Sequence, residues 1–211
     1  MVQPDTARRG VLGGNALSQA DGVRPGTINK AAHMALKSNG GPGWQAAIER
    51  LQQKVRSGAH AAAGFQDGET YPDGTPVAQV AAWDEFGTKT APPRSFMRKT
   101  ITDHKAEWPK LLAAALKATN YDVDKALGMV GEKMAAQIRE EIASIDGPAN
   151  APLTNLLKDR FPMGGYSIDD LRKAANDIRK GVTAPAGKPL VWSGQMLRSV
   201  TSQVKEGATD D

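Results

Sequence analysis

The chain has 211 residues, enough for one good core, with 27 basic and 23 acidic side chains and a mild net charge of +4 that is too weak to name nucleic acid as a partner. Zero cysteines exclude a disulfide framework, a thiolate nucleophile and a Cys-based zinc site, and 5% aromatic residues exclude an extended base-stacking platform. Neither the opening MVQPDTARRG nor any later segment offers the apolar run of a leader or a membrane span, so the expectation is a soluble protein made in a cytoplasm.

Residues 1–43 are rich in Gly, Asn, Ser and charge, with glycine pairs at Gly13-Gly14 and Gly40-Gly41. Such a segment buries too little apolar surface to offset its ordering entropy, which predicts an extended N-terminal arm, flexible or ordered by a partner. One short helix is expected inside it, over Thr27–Ser38, where Ile28, Ala32 and Leu36 recur every four residues. The rest, 44–211, reads as one α+β domain, mostly helical, with a small antiparallel sheet.

Its first helix is expected over Trp44–Gly58, on the stripe Trp44, Ile48, Leu51 and Val55. A short strand follows within Ala59–Tyr71. Turn chemistry at Pro72-Asp73-Gly74 then opens a helix that uses Val77, Val80 and Ala81 and stops at Gly87. A helical run from Phe96 to about Thr119, with Ile101, Trp108, Leu112 and Leu116 toward the core, should break at Pro109. Val123–Ile145 carries the clearest period, Val130, Met134, Ile138 and Ile142 at every fourth position. Asp146 to Gly165 is looser, with GPANAP and FPMGG marking loops and no helix assigned. A helix within Tyr166–Gly181 starts on a Ser167/Asp170 capping box, a short helix lies near Ser193–Leu197, and alternation of Val200, Ser202 and Val204 predicts a strand over Arg198–Lys205.

The chain is poor in reaction chemistry. Asp103, His104 and Glu107 could be read as metal ligands, but the same spacing describes any charged helix surface, and Lys105 sits among them. Gly187-Lys188 is followed by Pro189 rather than a hydroxyl residue, so there is no phosphate loop, and WSGQM around Ser193 does not form a nucleophile elbow. Asp84 and Glu85 are adjacent and point about 100° apart on a helix, which does not make an acid/base pair. No catalytic residue, metal or cofactor is predicted.

The stretch WDEFGTKTAPPRSFMRKTI, Trp83 to Ile101, reads instead as a corner. Trp83 and Phe86 share one helix face, Gly87 ends the helix, Pro92 and Pro93 stiffen the crossing, and Ser95 caps the next helix. Phe96 is expected to fold back onto the face of Phe86, and Arg94 to pair with Glu85 or with a neighbouring subunit.

These residues resemble a signature of tailed-bacteriophage tail-completion or neck proteins, A-x-x-x-E-F-G-T followed by P-x-R-P-F-h-R (h apolar). Glu85, Phe86, Gly87, Arg94, Phe96 and Arg98 match it, with the pair Pro92-Pro93 at its first proline and Ser95 where the family prefers proline. A second block, KPLVWSGQMLRSV, resembles the family's P-L-h-x-T-G-x-L-x-x-S-h at Pro189, Leu190, Gly194 and Ser199, with Met196-Leu197 at its second leucine and Ser193 in the threonine position. The resemblance spans about Ala59 to Val204. It implies a non-enzymatic virion protein without cofactors, assembled in the host cytoplasm into a homo-oligomeric, commonly hexameric ring at the head-proximal end of the tail. Its implied partners are further copies of itself, the tail tube or tail terminator, and the head–tail connector or head-completion protein. Channel DNA would be touched non-specifically, through phosphates, and no membrane is involved. The rival reading is a nucleic-acid-binding module that holds phosphates non-specifically as a monomer.

Overall fold

The computed structural model describes residues 42–66 and 68–207. Residues 1–41, and with them the expected Thr27–Ser38 helix, lie outside the described residues. The helix assigned to start at Trp44 already begins at Pro42, so the last two residues of the predicted arm belong to the folded domain. Element order is α1 (Pro42–Arg56), β1 (His60–Phe65), α2 (Val77–Phe86), α3 (Phe96–His104), α4 (Trp108–Ala118), α5 (Val123–Ser144), α6 (Pro152–Arg160), α7 (Ile168–Arg179), α8 (Gln195–Arg198) and β2 (Val200–Lys205). The fold is α+β and mostly helical, with a two-stranded antiparallel sheet in which His60 faces Lys205 and Phe65 faces Val200.

The long helix α5 is the organising element. Asp122 caps it by accepting the Lys125 N–H, and Ala135, Ile138 and Ile142 bury its core-facing stripe. Sheet and helix approach closely at Gly131, where a Cβ would lie 3.1 Å from the Ser202 Cβ, so a side chain there would push the strand away. Arg139 anchors the start of β2 by donating to the Val200 carbonyl, and the Ser202 hydroxyl donates to Glu132 across 2.7 Å. Two isolated strands are marginal in water; packed on α5 they become one face of the core.

That main core joins Val77 and Ala81 of α2, Phe96 of α3, the α5 stripe, Leu190, Met196 and Val200. A second cluster, Ala115, Ala126 and Val130, fastens α4 to α5. The break at Pro109 occurs as expected: α3 ends at His104 and α4 starts at Trp108, with the proline in the first turn, where no N–H is needed. Trp108 Nε1 donates to the buried Gln137 of α5 across 2.8 Å, and the Gln137 amide nitrogen lies 3.0 Å from both His104 Nδ1 and Glu107 Oε2. The two helices are thus tied to α5 by a polar contact as well as by packing.

Three expectations of placement fail. Ile101 is exposed rather than buried, and Val55 lies off the buried side of α1, which packs through Ala47 and sets Trp44 edge-on to Tyr121. The looser segment between Asp146 and Gly165 holds, between its two marked loops, the unassigned helix α6, with Pro152 in its first turn. With α7 it forms a helical hairpin around a third cluster, Leu156, Leu157 and Ala174, against which Trp192 packs. The Ser167/Asp170 capping box of α7 is present in both directions.

Candidate functional site

The turn between α2 and α3 is closed by reciprocal capping. Helix α2 leaves its last carbonyls without intrahelical partners, and α3 leaves its first amides likewise. The Arg94 N–H donates to the Asp84 carbonyl across 2.6 Å, and the Ser95 hydroxyl donates to the Glu85 carbonyl across 3.1 Å. In the other direction the Glu85 carboxylate accepts the Met97 N–H at 2.8 Å and the Arg98 N–H at 3.1 Å. Glu85 is therefore the N-terminal cap of a helix that starts eleven positions later, and its charge sits at the positive end of that helix. Ser95 occupies the cap position of α3 but makes no capping bond; its hydroxyl closes α2 instead.

The expected pairing of Arg94 with Glu85 is not what forms. Arg98, one turn into α3, takes Glu85 at 2.8 Å and also reaches the Glu85 carbonyl at 2.9 Å. Arg94 is buried and turns the other way. Its Nε donates to the Pro148 carbonyl at 2.8 Å, its Nη2 lies 3.3 Å from both the Ala149 carbonyl and Asn150 Oδ1, and Nη1 stands 3.7 Å from Asp84. One guanidinium thus locks the corner itself, and the other ties the corner to the segment that enters α6.

Gly87 carries φ 78° and ψ 173°, a region left to glycine, and donates its N–H to the Trp83 carbonyl. A Cβ there would stand 2.9 Å from the Pro93 nitrogen, so the proline crossing folds directly over it. Thr88 completes the loop by accepting the Thr90 and Ala91 amides on its hydroxyl.

The two phenylalanines do not clamp the corner between them. Phe96 is 1% exposed and stands edge-on to Phe65 of β1 at 6.0 Å, inside the main core. Phe86 is 68% exposed and Trp83 46%; the Arg98 guanidinium lies 5.1 Å from the Phe86 ring. The cause is the inward face of α2, which runs Val77, Ala81, Glu85 at every fourth position. Glu85 takes the inward slot because its carboxylate is the cap, and that rotation turns both aromatics outward.

The second block meets the first in the same core. Pro189 and Leu190 are buried, Leu197 packs against the core beside Met196, and Phe96 belongs to the same cluster. Gly194, at φ 74°, makes the left-handed turn that starts α8, and the buried Ser199 hydroxyl donates to the Gln195 carbonyl. Gln195 in turn donates to the Thr70 carbonyl ahead of α2.

Lys158 of α6 holds the second block and had no signal in the sequence beyond its place after Leu156-Leu157. Its ammonium donates to the carbonyls of Lys188, Pro189 and Val191 at 2.8, 3.1 and 3.0 Å, one for each proton. Burial, with the nearby Arg94 charge, lowers its pKa to about 8, and Asp84 opposes the shift. Burial raises the Asp84 pKa, against the pull of Arg94 and Lys158.

Beside the corner runs an open groove of about 640 Å³, lined by three cations, Arg94, Arg98 and Lys99, and three anions, Asp103, Glu141 and Asp146. Lys99 bridges Asp103 and Glu141 at 3.0 Å each, so the groove is internally balanced. Asp103, His104 and Glu107 do not converge with a third carboxylate or imidazole, and among the described residues there is no group of three or more metal-ligating side chains. No protein-family model, curated protein or solved structure matches this chain.

Proposed function

We propose that the protein is a structural virion subunit of a tailed phage, a tail-completion or neck protein that assembles as a ring between the head connector and the tail tube. The support is twofold. The two sequence blocks that resemble that family meet in a single core, and the charged members of the first, Glu85, Arg94 and Arg98, act as helix caps and ties between segments. Residues committed in that way set the shape of a subunit. The observation that carries the reading is the inverted corner helix, which keeps its carboxylates inward and sets its two aromatics on the outside. An exposed aromatic pair beside an arginine has the composition of a protein–protein hot spot. Native mass spectrometry and negative-stain microscopy of the purified full chain test the proposal. Closed ring-shaped oligomers are expected; a strictly monomeric protein at tens of micromolar, or one that turns over a substrate, would overturn it.

A further inference from the structure

Where α3 breaks into α4, the buried Gln137 of α5 meets three side chains that place incompatible demands on one histidine. An indole N–H only donates, so Trp108, with Nε1 2.8 Å from Gln137 Oε1, fixes which end of the amide is oxygen. Nε2 of Gln137 is therefore the donating end, and it lies 3.0 Å from both His104 Nδ1 and Glu107 Oε2. Its two protons suit two acceptors, which requires Nδ1 to be bare. Glu107 Oε2, however, stands 3.2 Å from that same Nδ1, a contact that is favourable only when Nδ1 carries a proton. Neutral His104 thus satisfies Gln137 and opposes Glu107. Charged His104 satisfies Glu107 and turns an N–H against the N–H of Gln137, a group too deeply buried to find water instead.

The surrounding charges keep this conflict in place. Its contact with His104, and after that the one with Gln137 and the charge of Lys133 on α5, hold the Glu107 carboxyl below the ordinary glutamate range. Glu107 is therefore an anion throughout the interval of about pH 5 to 8 in which imidazoles change charge. On α3, Asp103 is taken by Lys99, which also holds Glu141 of α5, at 3.0 Å each. Lys105 of the link and Lys110 of α4 are exposed. The Lys99 tie between α3 and α5 contains no imidazole, so a change of charge on His104 acts at the break and not along the whole of α3.

We infer that His104 is a proton-operated latch at this break: neutral, it accepts from Gln137 and helps to hold the break against α5; protonated, it pairs with Glu107 and gives Gln137 up. The link and the first turn of α4 then lose one of their ties to α5. That turn hangs on the Glu107 carbonyl, which accepts the Lys110 and Leu111 amides at 3.0 Å each, so movement of Glu107 toward the charged ring loosens it. The apolar cluster of Ala115, Ala126 and Val130 keeps the rest of α4 in place.

The test is hydrogen exchange of the full chain, read by mass spectrometry over a series from about pH 5.5 to about pH 8, with the parent beside His104→Asn. Asparagine sets a side-chain amide oxygen near the Nδ1 position and cannot take up the proton. Comparison of the two proteins at the same pH cancels the intrinsic pH dependence of exchange. Peptides that span the link and the first turn of α4 should exchange alike in both proteins at the upper end of the series. At the lower end they should exchange about two- to tenfold faster in the parent, the effect of one lost hydrogen bond. Glu107→Gln removes the anion that favours the charged ring, so the pH at which exchange accelerates should fall. Circular dichroism establishes that each variant is folded. A parent that exchanges no faster than His104→Asn at low pH would overturn the latch, and so would a Glu107→Gln protein whose acceleration stays at the parent's pH.

Discussion

Replacing Glu85 with alanine removes the device that closes the α2–α3 corner. The carboxylate is almost fully buried, accepts two backbone amides of α3 and pairs with Arg98. Loss of a helix cap costs about 1 kcal/mol. Leaving a part-buried amide without an acceptor adds about 1–3 kcal/mol. The Arg98 pair contributes less than about 1 kcal/mol, because that guanidinium is more than half exposed and water replaces its partner. The sum, about 3 kcal/mol, is a large share of the ~5–15 kcal/mol that holds a domain together. At ~2–4 °C per kcal/mol for a domain of this size, the midpoint should fall by about 6–12 °C. Urea titration followed by circular dichroism measures the change, with an unaltered m-value as the sign that the unfolded state is the same. Glu85→Gln keeps one acceptor oxygen and should lose about half as much, and Arg98→Ala less than about 1 kcal/mol. An alanine variant within about 0.5 kcal/mol of the parent, the ordinary range for an unimportant surface change, would refute the assignment of Glu85 as a cap.

Gly87→Ala combines a backbone region closed to alanine with a Cβ 2.9 Å from the Pro93 nitrogen, and should cost at least about 2 kcal/mol by the same titration. Arg94→Lys keeps the charge but loses the planar fork that reaches Pro148, Ala149 and Asn150, so hydrogen exchange should speed up across 146–151 while α5 stays protected. Lys158 supplies a pH signature. Its folded pKa lies below the ordinary lysine value, so above about pH 8 the unfolded chain binds more protons than the folded one, and stability rises with pH. Between about pH 8 and 9.5, below the range where Tyr71 begins to titrate, the parent should gain stability relative to Lys158→Met; a flat difference would show that the ammonium is not desolvated.

What the sequence disclosed and what it withheld divide along the range of the forces involved. Helix α5 was legible because four apolar residues at fourfold spacing need only a single face to pack, and the Pro109 break because proline acts within one turn. The Ser167/Asp170 box is equally local. Helix α6 was missed because Gly/Pro clusters on both sides masked a nine-residue element whose signal is confined to Leu153, Leu156 and Leu157. The corner was recognised as a corner, but its wiring was not. Whether Arg94 or Arg98 takes Glu85 depends on where the first turn of α3 stands, and the partners of Arg94 come from about fifty residues further along. Hydrophobicity placed Trp83 and Phe86 inside; the capping demand on Glu85 rotated them out. Lys158 could not be found at all, since its partners are main-chain carbonyls, which every residue possesses.

The pairing of β1 with β2 also governs how this molecule is made. Phe65 and Val200 are neighbours in the sheet but about 135 residues apart along the chain. A ribosome must release nearly all of α1 to α8 before the second strand emerges, and until then Phe65 and the inner side of α5 lack the cover that Val200 provides. Helices α3 to α5 can associate early, through neighbours in sequence, whereas closure of the main core waits until β2 has been made. Until that closure the nascent polypeptide carries a sticky, unfinished interior, and a chain that stalls before Val200 is a natural client for chaperones and proteases.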